Sequence, residues 1–345
     1  MSFTFGFGGT GSEAAEPEPA PRAPPARTAA RAGGIISPVA LPTPQQLAAT
    51  VGGAEWEAVA AGQAVRLRKR VLPSAQVDAP YSSELRASDL LPGVYEGGFK
   101  LWECAVDLAG FLAELPDAEL GPAHRVLELG CGHGLPGLVA LRRGAQVDFV
   151  DYNVEVLQQL TIPNAVAAEA DQQGADALGD LERVLGALAG RARFFSGDWC
   201  GLLGGESPAH AAYDVILTSD TLYTEVRAPS PTLWGTEVRH TRHVAGLRWR
   251  PGPDYPAAPG VSVPAGWVVL QQYELALCRE RGVAYVASKR HYFGVGGGTE
   301  EFRRAVASCQ RAEGAPEVET AAEWEDGRSN VRDLLVLRTA ASGDD

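Results

Sequence analysis

The sequence predicts a doubly wound α/β domain whose sheet is mostly parallel and ends in an antiparallel C-terminal edge hairpin. Three observations carry that prediction. The run HRVLELGCGHGLPGLVALRRGAQVDFVDYN reads as buried strand, glycine turn, helix and second strand, which is a βαβ unit. Further apolar runs of strand length follow at 193–195, 215–218 and 283–288, giving five strands that alternate with helices. The stretches 317–324 and 333–338 flank the turn-like DGRSN and read as an antiparallel hairpin on the sheet edge.

Each segment has its own reason. Residues 1–45 open with FTFGFGG and continue as an Ala/Pro/Arg mixture that has too little apolar surface to offset the entropy of ordering it, so disorder is expected there. Residues 46–90 form a lead-in segment that contains the strand-like stretch 64–71, and the main domain spans 91–340. Within it, 101–115 places Leu101, Ala105, Leu108 and Leu112 on one helical stripe. The βαβ unit then divides into a strand at 125–129, a helix at 135–143 and a strand at 146–150 that ends at Asp151; a helix around 154–168 follows. Residues 226–272 break the rhythm with scattered Pro and Gly and no sustained period, which marks a loop insertion.

Charge and cysteine usage narrow the function classes. With 43 acidic against 30 basic side chains the formal charge is -13, which repels phosphate backbones, so no direct nucleic-acid binding is expected and a basic protein partner is favoured. No run approaches the roughly 20 apolar residues of a membrane span. Cys104, Cys131, Cys200, Cys278 and Cys309 are widely spaced, odd in number and lack a CxxC pair, as reduced thiols of a cytoplasmic or nuclear protein would be. Glu13, Glu16 and Glu18 argue against an organellar leader, and a monomer is expected.

The chemistry concentrates at Glu128-Leu-Gly130-Cys-Gly132-His-Gly134-Leu-Pro-Gly137. Glycines where a strand turns into a helix let the backbone approach a ligand, and the helix N-terminus offers free N–H groups and partial positive charge. Asp151 ends the next strand, where a carboxylate can accept hydrogen bonds from ribose hydroxyls. Gly132, Gly134 and Gly137 alone satisfy the GxGxxG of dinucleotide sites, so NAD is the rival cofactor. Glu128 discriminates, because it completes the E/DxGxGxG form seen in class I methyltransferases. Their cofactor, S-adenosylmethionine, carries an ammonium and a sulfonium in place of a pyrophosphate.

With the flanking segments included, the chain resembles the protein-histidine methyltransferase family, a eukaryotic group with the Rossmann-like class I fold that acts on a histidine of a large-subunit ribosomal protein. The resemblance rests on VYEGGFKLWEC (94–104), DYN (151–153), FFSGDW (194–199), ILTSDTLY (216–223) and, most specific of all, SKRHYFGVGGG (288–298). It implies that Leu101, Trp102, Glu103, Cys104 and Ala105 contact the cofactor, together with Gly130 of the glycine loop, where the motif itself adds Glu128 and Gly132. It implies the same of Asp151, Tyr152 and Asn153, with Asp151 on the ribose. Gly197 belongs to the same set, Asp198 and Trp199 would hold the adenine, and Ser219 completes it. Trp102 and Trp199 are also readable as core aromatics.

Methyl transfer from a sulfonium is an in-line displacement, so the enzyme chiefly aligns donor and nucleophile. A histidine acceptor has a free pKa near 6.5 and is largely neutral already, so fixing its tautomer matters more than a strong base. Asp220, at the carboxyl end of the fourth strand, is the candidate acceptor for the second ring nitrogen; the alternative is that it caps the following helix. Tyr223, one turn further on, is a second catalytic candidate. His291 is a candidate for catalysis or for shaping the substrate pocket, with no second ligand at metal spacing. The glycines 296–298 suit a mobile lid or a close backbone approach. Two alternatives stay open: a protein-lysine methyltransferase, because Asp220-Thr-Leu-Tyr223 also satisfies a DxxY pattern, and a non-catalytic ribosome-assembly factor with the same fold.

Overall fold

A computed structural model describes residues 36–73, 95–174, 180–197, 213–223, 282–293, 296–309, 317–325, 327 and 330–338. The expected insertion at 226–272 lies outside these residues, as do 1–35 of the expected disordered segment.

Among the described residues ten strands and six main helices follow in chain order: β1 (Ile36–Val39), α1 (Pro44–Val51), β2 (Glu55–Ala61), β3 (Val65–Val71), α2 (Glu103–Ala113), β4 (Arg125–Leu129), α3 (Leu135–Arg142), β5 (Gln146–Asp151), α4 (Ile162–Gln173), α5 (Leu181–Ala189), β6 (Ala192–Gly197), β7 (Val215–Ser219), β8 (Val283–Lys289), α6 (Thr299–Cys309), β9 (Glu317–Trp324) and β10 (Arg332–Arg338). Eight strands form one sheet in the order β1-β6-β5-β4-β7-β8-β10-β9, and β2 pairs with β3 as a separate ribbon. The central strands β6, β5, β4, β7 and β8 are parallel, while β10 runs antiparallel to both β8 and β9. The C-terminal pair is therefore not appended in sequence order. β10 inserts beside β8 and leaves β9 at the edge. The chain winds outward from β4 in both directions, which puts the topological switch point between β4 and β7 and defines a doubly wound α/β fold.

Burial explains why these strands read as continuous apolar runs. Val126 and Phe149 face a core shared with α2, α3, α4 and α5, whereas Leu127, Leu129 and Val150 face a second core with Phe302 and Val306 of α6. Each central strand is thus covered on both faces.

Residues 36–45 differ from the expected disorder. Ile36–Val39 add an edge strand antiparallel to β6, with Pro38 opposite Phe195, and Pro44 already begins α1 behind a Thr43 capping box. Proline is compatible with a strand there because an edge has N–H groups that need no ladder partner. The helix expected around 154–168 is real but irregular. It starts as one turn at Val154–Val156, widens to a π segment at Leu157–Thr161 and then continues as α4. Pro163 lacks the N–H that would bond the Gln159 carbonyl in α register, and that carbonyl instead accepts Arg70 Nη1–H at 2.9 Å.

Candidate functional site

The glycine loop sits where the topology predicts ligands to bind, beyond the carboxyl end of β4 at the switch point. Gly130, Gly132 and Gly134 have φ of 62°, 49° and 75°, a left-handed alternation that side chains resist. The loop is held from below by α4 and its π segment. Thr161 Oγ1–H donates to the Gly132 carbonyl at 2.6 Å, and Asn164 Nδ2–H donates to that of His133 at 3.0 Å. Neither residue stood out in the sequence, since nothing in a polar residue's spacing says that it will face a turn some thirty positions earlier.

Glu128, expected at the cofactor, is fully enclosed in β4. Its Oε2 accepts the Gly137 N–H at 2.9 Å, and burial holds its pKa well above the usual carboxylate range. Its observed work is to seat the first turn of α3 against the strand; it does not present a carboxylate to the open crevice. Alternation within the strand places it on the helix-facing side.

Asp151 ends β5 as expected. Its two oxygens accept the Gly132 and Asn153 N–H groups at 2.9 and 3.0 Å. The Tyr152 N–H also bonds this carboxylate, which has about four lone-pair positions, so acceptor capacity remains for a ribose hydroxyl. Burial raises its pKa from 3.8 to about 6, against the lowering effect of those amides and with Glu96 adding a like charge. Glu96 also accepts the Tyr223 hydroxyl, and its own N–H donates to Asn153 Oδ1 at 3.1 Å. Tyr223 therefore stands against Glu96, and burial and that carboxylate push its phenol pKa up. Desolvated acids at this end of the sheet favour a cationic guest, because a positive group restores the charged form that burial disfavours.

Asp220 occupies the end of β7 with φ 52°, the only non-glycine in that region among the described residues. It caps α2, which precedes it in the chain; the residues directly after 223, where a following helix would lie, are outside the described residues. Its Oδ2 accepts the Cys104 N–H of α2 at 2.9 Å, where the N-cap residue Trp102 offers no side-chain acceptor. Its Oδ1 accepts the Tyr292 hydroxyl at 2.6 Å, and that hydroxyl also meets Ser288 Oγ at 2.9 Å. One carboxylate thus joins the helix carrying Glu103, Cys104 and Ala105 to the loop after β8. Lys289 reinforces the junction, with Nζ 3.2 Å from Glu103 and 5.5 Å from the centre of the Trp102 ring. Trp102 is further fixed by Nε1–H donating to the Gly97 carbonyl at 3.0 Å, and Leu101 and Ala105 flank it half-buried.

His291 lies on the exposed rim, and the member of its motif that reaches Asp220 is Tyr292. The sequence drew attention to the reactive-looking histidine; the adjacent tyrosine makes the contact. Phe293, next in the chain, is 87% exposed. The glycines 296–298 build an internal turn, contrary to an open approach for substrate. Gly298 N–H donates to the Leu222 carbonyl at 2.7 Å, and a Cβ there would lie 2.2 Å from the Arg290 carbonyl oxygen. Gly130, Gly132, Asp151, Tyr152, Asn153 and Ser219 therefore converge on one crevice end, with Gly197 at the end of the neighbouring β6. Asp198 and Trp199 lie outside the described residues.

Comparison with known proteins places this geometry in context. No protein-family model matches the chain. A protein from Dictyostelium discoideum named histidine protein methyltransferase 1 homolog is 34% identical over 257 residues, covering 74% of this chain and 62% of the relative. The homolog of the same name from Bos taurus is 36% identical over 229 residues, covering 64% of this chain and 50% of its own length. The chain thus spans between half and somewhat under two thirds of these curated relatives. Among solved structures, magnesium protoporphyrin IX methyltransferase from Synechocystis with bound SAH aligns at a TM-score of 0.39 and 14% identity, covering 68% of this chain and 83% of that one. The fold assignment rests on strand order.

Proposed function

We propose that the chain, which is similar to the histidine protein methyltransferase 1 homologues, is an S-adenosylmethionine-dependent protein-histidine N-methyltransferase whose acceptor is an imidazole nitrogen of a histidine in a large-subunit ribosomal protein. The single observation that carries the reading is the joining of the start of α2, which carries Glu103, Cys104 and Ala105, to the 288–298 motif through one carboxylate, Asp220. The residues present suit the cofactor. The left-handed glycine loop opens main-chain groups to the crevice, Asp151 retains acceptor capacity for a ribose, and the neighbouring desolvated acids suit a sulfonium and an ammonium.

When bound, the cofactor supplies an electrophilic methyl group on a positively charged sulfur. The chain's own task is alignment. Asp151 and the glycine loop fix the donor side, and α2, pinned at Cys104 by Asp220, closes over it. Tyr292 holds the acceptor loop in register with the same carboxylate. Exposed Phe293 on the rim gives a protein substrate an apolar contact. A neutral imidazole needs no strong base, and its second nitrogen needs a hydrogen-bond partner to fix the tautomer. The histidine N–H proton leaves after transfer, when the methylated ring is an acid of ordinary strength.

The test is product analysis. Purified protein, labelled S-adenosylmethionine and a large-subunit ribosomal fraction should yield label in methylhistidine after acid hydrolysis. Label recovered in methyllysine would overturn the acceptor while keeping the donor, and no label with intact cofactor binding would favour a binding role.

A further inference from the structure

A cavity of about 180 Å³ lies behind the glycine loop, away from the groups assigned above except for Leu101. Its walls come from the end of β3 (Lys69, Arg70, Val71) and from Phe99, His133 and Leu160. Two features of this wall are unusual. Arg70 is only 6% exposed, yet among the described residues its guanidinium has no carboxylate partner; Nη1–H donates to the Gln159 carbonyl at 2.9 Å and Nε–H has no acceptor. His133, also 6% exposed, has Nε2 3.0 Å from the Phe99 carbonyl, while among the described residues Nδ1 has no partner.

Buried charge is ordinarily paired, and burial here draws the Arg70 pKa down with no acid opposing it. Lys69 lines the same cavity and is paired at 2.6 Å with Glu57, whose side chain is largely exposed. Among the described residues the cavity therefore presents one uncompensated buried guanidinium and an ammonium held by a rim carboxylate. His133 adds a different demand. A carbonyl can only accept, so Nε2 carries the proton and Nδ1 is the acceptor of a neutral ring. The complementary guest has anionic oxygen for Arg70 and Lys69 and an O–H for His133 Nδ1.

We propose that this cavity is an oxyanion site for a phosphate-type group, with Arg70 as its principal ligand and His133 Nδ1 accepting the phosphate's hydroxyl. A monoester or inorganic phosphate near neutral pH carries both anionic oxygens and, in its monoanionic fraction, that hydroxyl. Asn164 ties the site to the glycine loop: Oδ1 accepts the Arg70 N–H at 2.7 Å, and Nδ2–H donates to the His133 carbonyl at 3.0 Å. Occupation braces the turn at Gly132 from behind. The inference stands independently of the methyl acceptor.

Calorimetric titration of the full chain with inorganic phosphate, in a buffer free of other oxyanions, tests it. Binding in the millimolar range is expected, with acetate, which lacks the hydroxyl, weaker, and acetamide, which lacks the charge, silent. Arg70→Met should weaken phosphate by at least about tenfold, the scale of one charge-assisted hydrogen-bond pair. Lys69→Met, a milder change nearer the rim, should weaken it severalfold and guards against loss of Arg70→Met to misfolding. No phosphate binding by the wild-type chain would overturn the proposal, as would equal binding by a folded Arg70→Met protein; acetamide matching phosphate would show a neutral cavity instead.

Discussion

At the scale of single residues, Asp151 and Asp220 are both buried carboxylates at strand ends, but they answer to different partners. Burial lifts the Asp151 pKa to about 6 from an ordinary 3.8, so the folded chain keeps that proton when the unfolded chain has lost it. The stability this gives is fully present below about pH 4 and is lost as pH rises toward about 6, a swing of up to about 3 kcal/mol. Ribose hydroxyls donate to the ionised form, so cofactor binding should lower the pKa and release a proton. Affinity for S-adenosylmethionine is therefore expected to fall as pH drops below about 6, by no more than about tenfold per unit. Calorimetry across that range checks it. Asp151→Asn should bind more weakly and without this slope; Glu128 and Asp220, which burial also shifts upward, remain in the variant, so an unchanged slope would remove Asp151 from the account. For Asp220 the expected signature is coupling. Asp220→Asn cannot accept well from both the Cys104 N–H and the Tyr292 O–H, and should cost about 1–3 kcal/mol in denaturant unfolding. Tyr292→Phe removes only the loop side. If the two losses add within about 0.5 kcal/mol in the double variant, the bridge between α2 and the loop carries no shared energy.

At the scale of elements, the junction of β4 and α3 depends on absence of a side chain. A Cβ on Gly137 would lie 2.4 Å from Glu128 Oε2 and 2.5 Å from the Phe149 ring. Gly137→Ala should therefore force strand and helix apart and destabilise the chain by about 1–3 kcal/mol, despite alanine's better helix propensity. Thermal unfolding decides the sign, and a stabilised variant would show that the helix slides without cost. This junction was legible in the sequence because its periodicity and its glycines act locally. The strand at 125–129 and the start of α3 fall where the pattern puts them. What could not be read locally were the roles that need a distant partner. Glu128 looked like a cofactor ligand because its motif position is shared with such ligands, whereas its direction depends on the strand face. Asp220 read as an acceptor for a substrate imidazole, with a cap on the following helix as the alternative, whereas the group it holds is the Cys104 N–H, 116 positions earlier in the chain. Tyr292 was hidden beside a histidine.

At the scale of the whole molecule, the edge strand β1 does more than its four residues suggest. Ile36 packs beside the core on one face of the sheet and Val39 beside the core on the other, so the strand ties both layers to β6. Its composition concealed it, because ISPV is short, contains proline and follows an Ala/Pro-rich stretch. Its pairing with Phe194, Phe195, Ser196 and Gly197 covers the otherwise open edge of β6, beside the end of β5 where Asp151 stands. Loss of the strand has two separable consequences. Removing two part-buried aliphatic side chains should cost about 2 kcal/mol, which for a domain of this size lowers the unfolding midpoint by about 4–8 °C. Uncovering the β6 edge offers unpaired N–H and C=O groups to another chain, which promotes association. A protein beginning at Thr43 should accordingly melt earlier and sediment partly as larger species, whereas Ile36→Ala with Val39→Ala should melt earlier without associating, because its backbone ladder is intact. If the shortened protein matched the full chain in both measurements, the strand would be an ornament on the sheet and the edge of β6 would be protected by something else.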